Sequence, residues 1–131
     1  MKFLHSMIRV KNIDDSLKFY TDFIGLRIIE KKSLEDCDLY FLGEDETSSQ
    51  IELTYNYETP EKGYDNGTAF GHLAFSVDNM DEVSKKVLTM NYQFLWEPFE
   101  LELKNEKGEI SKKLIAFIKD PDGNEIELIQ E

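Results

Sequence analysis

Laid over itself, the sequence matches at a fixed spacing. His5, Val10, Asn12 and Asp14 recur as His72, Val77, Asn79 and Asp81, an offset of 67 residues, and Asp15 against Glu82 and Lys18 against Lys85 continue the match. Further on, Ile51-Glu52-Leu53 returns as Ile126-Glu127-Leu128 at an offset of 75, so the later copy holds eight more residues between its His and its Glu. A repeat of this length is one supersecondary unit that cannot bury its apolar face alone and needs its copy. The reading is one domain over 1–131, made of units 1–58 and 69–131, with the segment containing Pro60, Gly63 and Gly67 as connector.

Each copy reads as strand, helix, then further strands. Phe3 to Val10 is strand-like, and Asn12 to Asp15 offers capping side chains for a helix carrying Leu17, Phe19, Tyr20, Phe23 and Ile24, closed by Gly25. Strands are expected at Leu26–Lys31, Leu39–Leu42 and Gln50–Tyr57. In the second copy Gly71–Val77 opens, a helix follows with Met80, Val83, Val87 and Leu88 buried, and strands are expected at Gln93–Glu97, Glu100–Lys104, Lys112–Lys119 and Glu125–Ile129. Lys104 to Gly108 carries turn residues and reads as a hairpin tip, and Asp120-Pro121-Asp122-Gly123 as a tight turn.

Period-two alternation decides facing, because successive side chains of a strand leave on opposite sides of the sheet. Leu73, Phe75 and Val77 form one oily face, which leaves His72 on the other; Ile51, Leu53 and Tyr55 likewise leave Glu52 among Gln50, Thr54 and Asn56. His5 shares a face with Phe3, Met7 and Arg9, and Glu127 with Glu125 and Ile129. Both histidines of the chain, His5 and His72, therefore stand at the same place in the repeat, each with a glutamate turned the same way. Two imidazoles and two carboxylates suit a divalent ion, since their −2 charge neutralises it and the donor set is borderline in softness.

Composition limits the partners. The chain has 131 residues and a net charge of −12, which repels nucleic acid backbones and anionic membrane surfaces. Apolar runs such as Leu114–Ile118 fall far short of the roughly 18 residues a bilayer-spanning helix needs. Neither nucleic acid nor a membrane is expected as partner, and a cytoplasmic protein is. The single cysteine, Cys37, has no internal disulfide partner and reads as an ordinary reduced thiol.

The segments His5 to Val10, Phe19-Tyr20-Thr21 with Gly25-Leu26, Ile51-Glu52-Leu53-Thr54-Tyr55-Asn56, Gly71 to Asp78 and Asp120 to Glu127 span nearly the whole chain. They resemble glyoxalase I, lactoylglutathione lyase, of the vicinal oxygen chelate superfamily, and Glu52 to Asn56 is the run most particular to it. The resemblance implies an α+β fold in which two βαβββ units make a cupped sheet around one metal. It implies His5, Glu52, His72 and Glu127 as metal ligands, and Arg9 and Asn56 as residues holding the glutathione moiety. Arg9 lies about 13 Å along the strand from His5 at roughly 3.3 Å per residue, a span that suits gripping the far end of a tripeptide thioester.

The implied reaction is isomerisation of the methylglyoxal–glutathione hemithioacetal to S-lactoylglutathione, a detoxification of methylglyoxal. Glu127 is expected as the base, with Glu52 mainly a ligand and a possible second base. Nickel or cobalt is the expected metal, with zinc second, and a homodimer with metal sites shared between chains the expected assembly. Two alternatives stand beside this reading: another activity of the superfamily (thiol transferase, epimerase or extradiol dioxygenase), or a metal-free small-molecule-binding module. Between Trp96 and Leu114 the chain is longer and more charged than the short bacterial relatives, so no glutathione contact carries over there and the thiol is left open. Lys112 or Lys113 could substitute for such a contact, though charged residues around a turn are more often simply solvated.

Overall fold

The computed structural model describes residues 1–131, which divide into two compact units, Met1–Asn66 and Gly67–Glu131. In the first, strand β1 (His5–Arg9) leads to helix α1 (Ile13–Leu17), whose π-helical continuation runs over Lys18–Phe23, and then to β2 (Arg27–Ser33), β3 (Cys37–Gly43) and β4 (Gln50–Asn56). The sheet order is β1-β4-β3-β2, with β1 parallel to β4 and the remaining pairs antiparallel. In the second, β5 (His72–Val77), α2 (Met80–Thr89), β6 (Phe94–Lys104), β7 (Ile110–Lys119) and β8 (Glu125–Gln130) repeat that plan as β5-β8-β7-β6. Each unit is thus a βαβββ motif, as the repeat requires.

The helix starts follow from two asparagines. Asn12 accepts a hydrogen bond from the Asp15 backbone N–H at 3.0 Å and Asn79 accepts one from Glu82 at 3.1 Å, each satisfying a donor that a helix N-terminus leaves unpaired. Gly25 closes the first helix at φ +95°, a conformation costly to other residues. The expected single α-helix up to that glycine is instead α-helical only to Leu17. Beyond it Ile24 N–H bonds the Phe19 carbonyl, five residues back, at 2.9 Å. The wider turn lets Phe19, Tyr20 and Phe23 all be buried, the first two with rings 5.1 Å apart and edge-on.

Under the helices lie Val10, Leu42, Ile51 and Leu53 in the first unit and Ala116, Ile118, Ile126 and Leu128 in the second, all buried. Burying a leucine contributes about 1.5–3 kcal/mol, so these alternating positions fix which face each strand turns to its helix. Two apolar residues in phase with the buried faces are exposed, Leu88 against expectation. Leu4 is 65% exposed because β1 begins only at His5, and Leu88 is 80% exposed because it stands one residue, about 100°, round the helix from buried Val87.

The two strands expected between Gln93 and Lys104 are one. Pro98 sits where the β6–β7 register slips, between Trp96 and Phe99, and such a bulge lets a strand carry a proline without losing its ladder. The hairpin tip expected at Lys104 to Gly108 is present, with Gly108 at φ +81° and its N–H bonded to the Asn105 carbonyl at 3.0 Å. Lys112 pairs across the hairpin with Glu100 at 3.3 Å, and Lys113 pairs with Glu131, just past β8, at 3.7 Å. No helix is long and apolar enough to cross a membrane.

Candidate functional site

In the first unit His5 opens β1, opposite Gln50, and Glu52 lies two residues along β4, opposite Met7. The parallel register puts both side chains on the face away from α1, and His5 Nε2 comes 3.1 Å from Glu52 Oε2. In the second unit His72 is opposite Glu125 and Glu127 opposite Ala74. There His72 Nε2 comes 3.0 Å from Glu127 Oε2. Burial is also duplicated: the imidazoles are 38% and 41% exposed, the carboxylates 12% and 14%.

The strand after the helix-side core supplies an aromatic ring to each pair. Phe41 of β3 lies directly opposite Glu52, and its ring meets the His5 imidazole edge-on at 5.4 Å and 78°. Phe117 of β7 lies directly opposite Glu127 and meets His72 at 5.5 Å and 84°. Phe117 is itself met by Trp96 at 5.2 Å. Alternation alone did not single out these two phenylalanines. They become visible once β3 and β7 are paired with the glutamate strands, since the spacing from Phe to Glu then nearly repeats in the two copies.

A second duplicated device sets the glutamates in place. Asp45 stands seven residues before Glu52 and Asp120 seven before Glu127. Asp45 Oδ1 accepts from the Thr47 and Ser48 backbone N–H groups at 2.7 and 2.9 Å, and from the Thr47 hydroxyl. Asp120, only 4% exposed, accepts from the backbone N–H groups of Asp122 and Asn124 and from the Asn124 side-chain amide. Both aspartates fold the turn that feeds β4 or β8, and so the register that turns each glutamate toward its histidine. Donation by Thr47 and Ser48 holds the Asp45 carboxyl below its ordinary value.

The first unit's face continues beyond the pair. Arg9 lies opposite Thr54, and Asn56 follows two residues on, accepting from the Tyr64 hydroxyl at 3.3 Å. Thr54 is 5% exposed and its hydroxyl has no hydrogen-bond partner, so a buried polar group on this face is left unmet. Cys37, opposite Asn56, is buried, and that burial raises its thiol above the ordinary value, which makes it a poor nucleophile. In the second unit the positions that match Arg9, Thr54 and Asn56 in register are Ser76, Ile129 and Glu131, so only the first unit offers a guanidinium and an amide there.

The donors fit a divalent ion in kind: one neutral-capable imidazole and one carboxylate per unit, each Nε2 already turned to its carboxylate. Within neither unit do three or more His, Cys, Asp or Glu side chains gather; each unit presents one imidazole and one carboxylate.

The model of the glyoxalase/bleomycin resistance protein/dioxygenase superfamily matches residues 2–128. The chain belongs to this superfamily. It is 36% identical over 134 residues to the probable lactoylglutathione lyase of Synechocystis sp., which covers 99% of this chain and 95% of that protein. It is 35% identical over 136 residues to the lactoylglutathione lyase of Haemophilus influenzae, covering 99% and 93%. Among solved structures it is similar to the trypanothione-dependent glyoxalase I of Leishmania major, with a TM-score of 0.77 and 32% identity over all of this chain and 87% of that one. The α+β plan of two βαβββ units is that of the glyoxalase members of this superfamily.

Proposed function

We infer that the chain is a lactoylglutathione lyase: a metal-dependent isomerase of the methylglyoxal–thiol hemithioacetal and so a methylglyoxal-detoxifying enzyme. The observation that carries the reading is the duplicated His–Glu pair, His5 with Glu52 and His72 with Glu127, each closed to about hydrogen-bond distance on the face away from the helix. Full-length likeness to proteins named for this activity supports it.

In the proposal His5, Glu52, His72 and Glu127 hold one divalent ion, nickel or cobalt by preference and zinc second. Bound there, it would stabilise negative charge developing on substrate oxygen. The rest falls to the chain. Glu127 takes the proton from C1 of the hemithioacetal and returns it to C2, while the hydroxyl proton passes from the first oxygen to the second. No atom is gained or lost, and an aldehyde-level carbon becomes a thioester while the ketone becomes an alcohol. Glu52 serves as ligand and stands as the second base. Arg9 matches a carboxylate with a two-pronged guanidinium, and Asn56 adds an amide on the same face, so together they grip the thiol's far end. The unmet Thr54 hydroxyl between them adds a further donor there.

The proposal includes a homodimer in which the metal sites are shared between chains. It extends to a cytoplasmic setting, supported by the reduced, buried thiol of Cys37.

Glu127→Gln tests the base. Loss of general-base catalysis lowers kcat by about 10²–10⁴. Thioester formation is followed spectroscopically, with bound metal measured on the same sample; turnover like wild type with metal retained removes Glu127 from the role. Comparing the hemithioacetals of glutathione, trypanothione and other cellular thiols assigns the cosubstrate.

A further inference from the structure

We propose that Phe41 and Phe117 are positioning residues, each fixing the plane of its histidine so that Nε2 stays aimed at the neighbouring carboxylate. The inference rests on the metal-site reading above, since an aimed imidazole matters most where it must meet an ion.

The need arises from the histidines' place in the fold. β1 and β5 are the outer strands of their sheets, so each imidazole has a sheet neighbour on one side only and is more than a third exposed. The outer torsion of a histidine is broad and roughly two-fold, so one hydrogen bond at Nε2 fixes a point and leaves the ring plane free. An edge-on ring contact supplies the missing constraint, because the positive edge of one aromatic meets the negative face of the other at a preferred angle. Both histidines have such a contact, at 5.4 Å and 78° and at 5.5 Å and 84°.

The duplication is not a by-product of identical loops. The segment joining β3 to β4 spans residues 44–49, whereas that joining β7 to β8 spans 120–124, one residue fewer. Phenylalanine nevertheless ends opposite the glutamate in both sheets, Phe41 to Glu52 and Phe117 to Glu127. Each glutamate and its phenylalanine thus form one cross-strand pair on the inner side of the histidine, the carboxylate meeting Nε2 and the ring meeting the imidazole edge-on. The two braces differ in rigidity: Phe117 is 8% exposed and held by Trp96, whereas Phe41 is half-buried, with the Lys32 ammonium 6.0 Å from its ring.

The test uses cobalt ion as probe on the full chain, with affinity from calorimetric titration. Phe117→Leu is expected to weaken cobalt binding about tenfold or more, the usual effect of removing a partner that orients a ligand, and Phe41→Leu to weaken it less. Phe117→Tyr keeps the ring edge and restores affinity. In a His72→Ala background, Phe117→Leu is expected to leave cobalt affinity unchanged, because a brace acts only through what it holds. Leucine variants that bind cobalt as wild type does, or that lose affinity equally without His72, overturn the proposal. Nuclear Overhauser contacts between the Phe117 and His72 rings in metal-free protein read the brace directly. If wild type fails to bind cobalt, the metal reading falls, and the presence or absence of those contacts still decides the positioning.

Discussion

Replacing Asp120 by alanine removes the acceptor for three hydrogen bonds, from Asp122 N–H at 2.9 Å, Asn124 N–H at 2.8 Å and the Asn124 side-chain amide at 2.8 Å. Asn124 is itself only 3% exposed, so its two donors are stranded away from water. A hydrogen bond to a charged group is worth about 1.5–3 kcal/mol and a stranded buried donor costs about 1–3. Allowing for overlap between these terms and for partial rehydration at Asp122, the loss is about 3–5 kcal/mol. With a urea m-value of about 2 kcal/mol per M, the unfolding midpoint falls by roughly 2 M at unchanged m. Protein concentration is held fixed between samples, since any self-association contributes to apparent stability. Asp120→Asn keeps one acceptor but sets an amide against an amide, and falls between. Asp45→Ala serves as the internal control: it removes the counterpart turn in a more solvated setting, so its loss is smaller. A midpoint shift below about 0.5 M for Asp120→Ala, or equal losses at both positions, refutes the view that this buried turn anchors β8.

Below neutral pH, Asp38 and Asp45 mark the acid limit. Asp38 accepts from the Ser33 and Tyr57 hydroxyls at 2.6 and 2.8 Å, which holds its carboxyl below the ordinary 3.8, and Asp45 is lowered by Thr47 and Ser48. A lowered folded value means stability is fully present above the unfolded value and is lost as pH falls through the folded one. Thermal midpoints therefore decline below pH about 4, and Asp38→Asn with Asp45→Asn flattens that decline; an unchanged slope speaks against it. Leu53→Ala and Leu128→Ala, both about fully buried at matching places in the repeat, each cost about 2–5 kcal/mol by chemical denaturation and lie within about 1 kcal/mol of each other. Prolonged chelation abolishes isomerase activity, and nickel or cobalt restores it more fully than zinc; full activity in chelated protein, verified metal-free, counts against the four-donor proposal.

The βαβββ plan was readable because duplicated residues are separated by structure, not by chance. Asn12 and Asn79 cap helices, Ile51 with Leu53 and Ile126 with Leu128 turn inward, and the glutamates between them must then turn out. Two features escaped. The switch to π-helical bonding after Leu17 is decided by how Phe19, Tyr20 and Phe23 pack together, which no helical period expresses. The single long β6 was hidden by Pro98, which reads locally as a break but is accommodated by a slip in pairing with β7. The face of the site was legible residue by residue, whereas its aromatic partners were not. Phe41 and Phe117 look like ordinary core residues until cross-strand register sets them opposite the glutamates. Register is a property of two strands at once, and alternation along one strand does not contain it.

The second unit's surplus length has gone into β6 and β7, whose strands run for 11 and 10 residues where their counterparts β2 and β3 run for 7 each. That hairpin ends in a solvent-facing tip, Asn105 to Glu109, tied by its own Asn105 hydrogen bonds. Lengthening a surface hairpin at its free end adds little loop-closure entropy and leaves the base of the ladder in place. Relatives with insertions or deletions at this tip should therefore keep Phe117 opposite Glu127, so the two copies can diverge in outline while the chemistry at their roots stays matched.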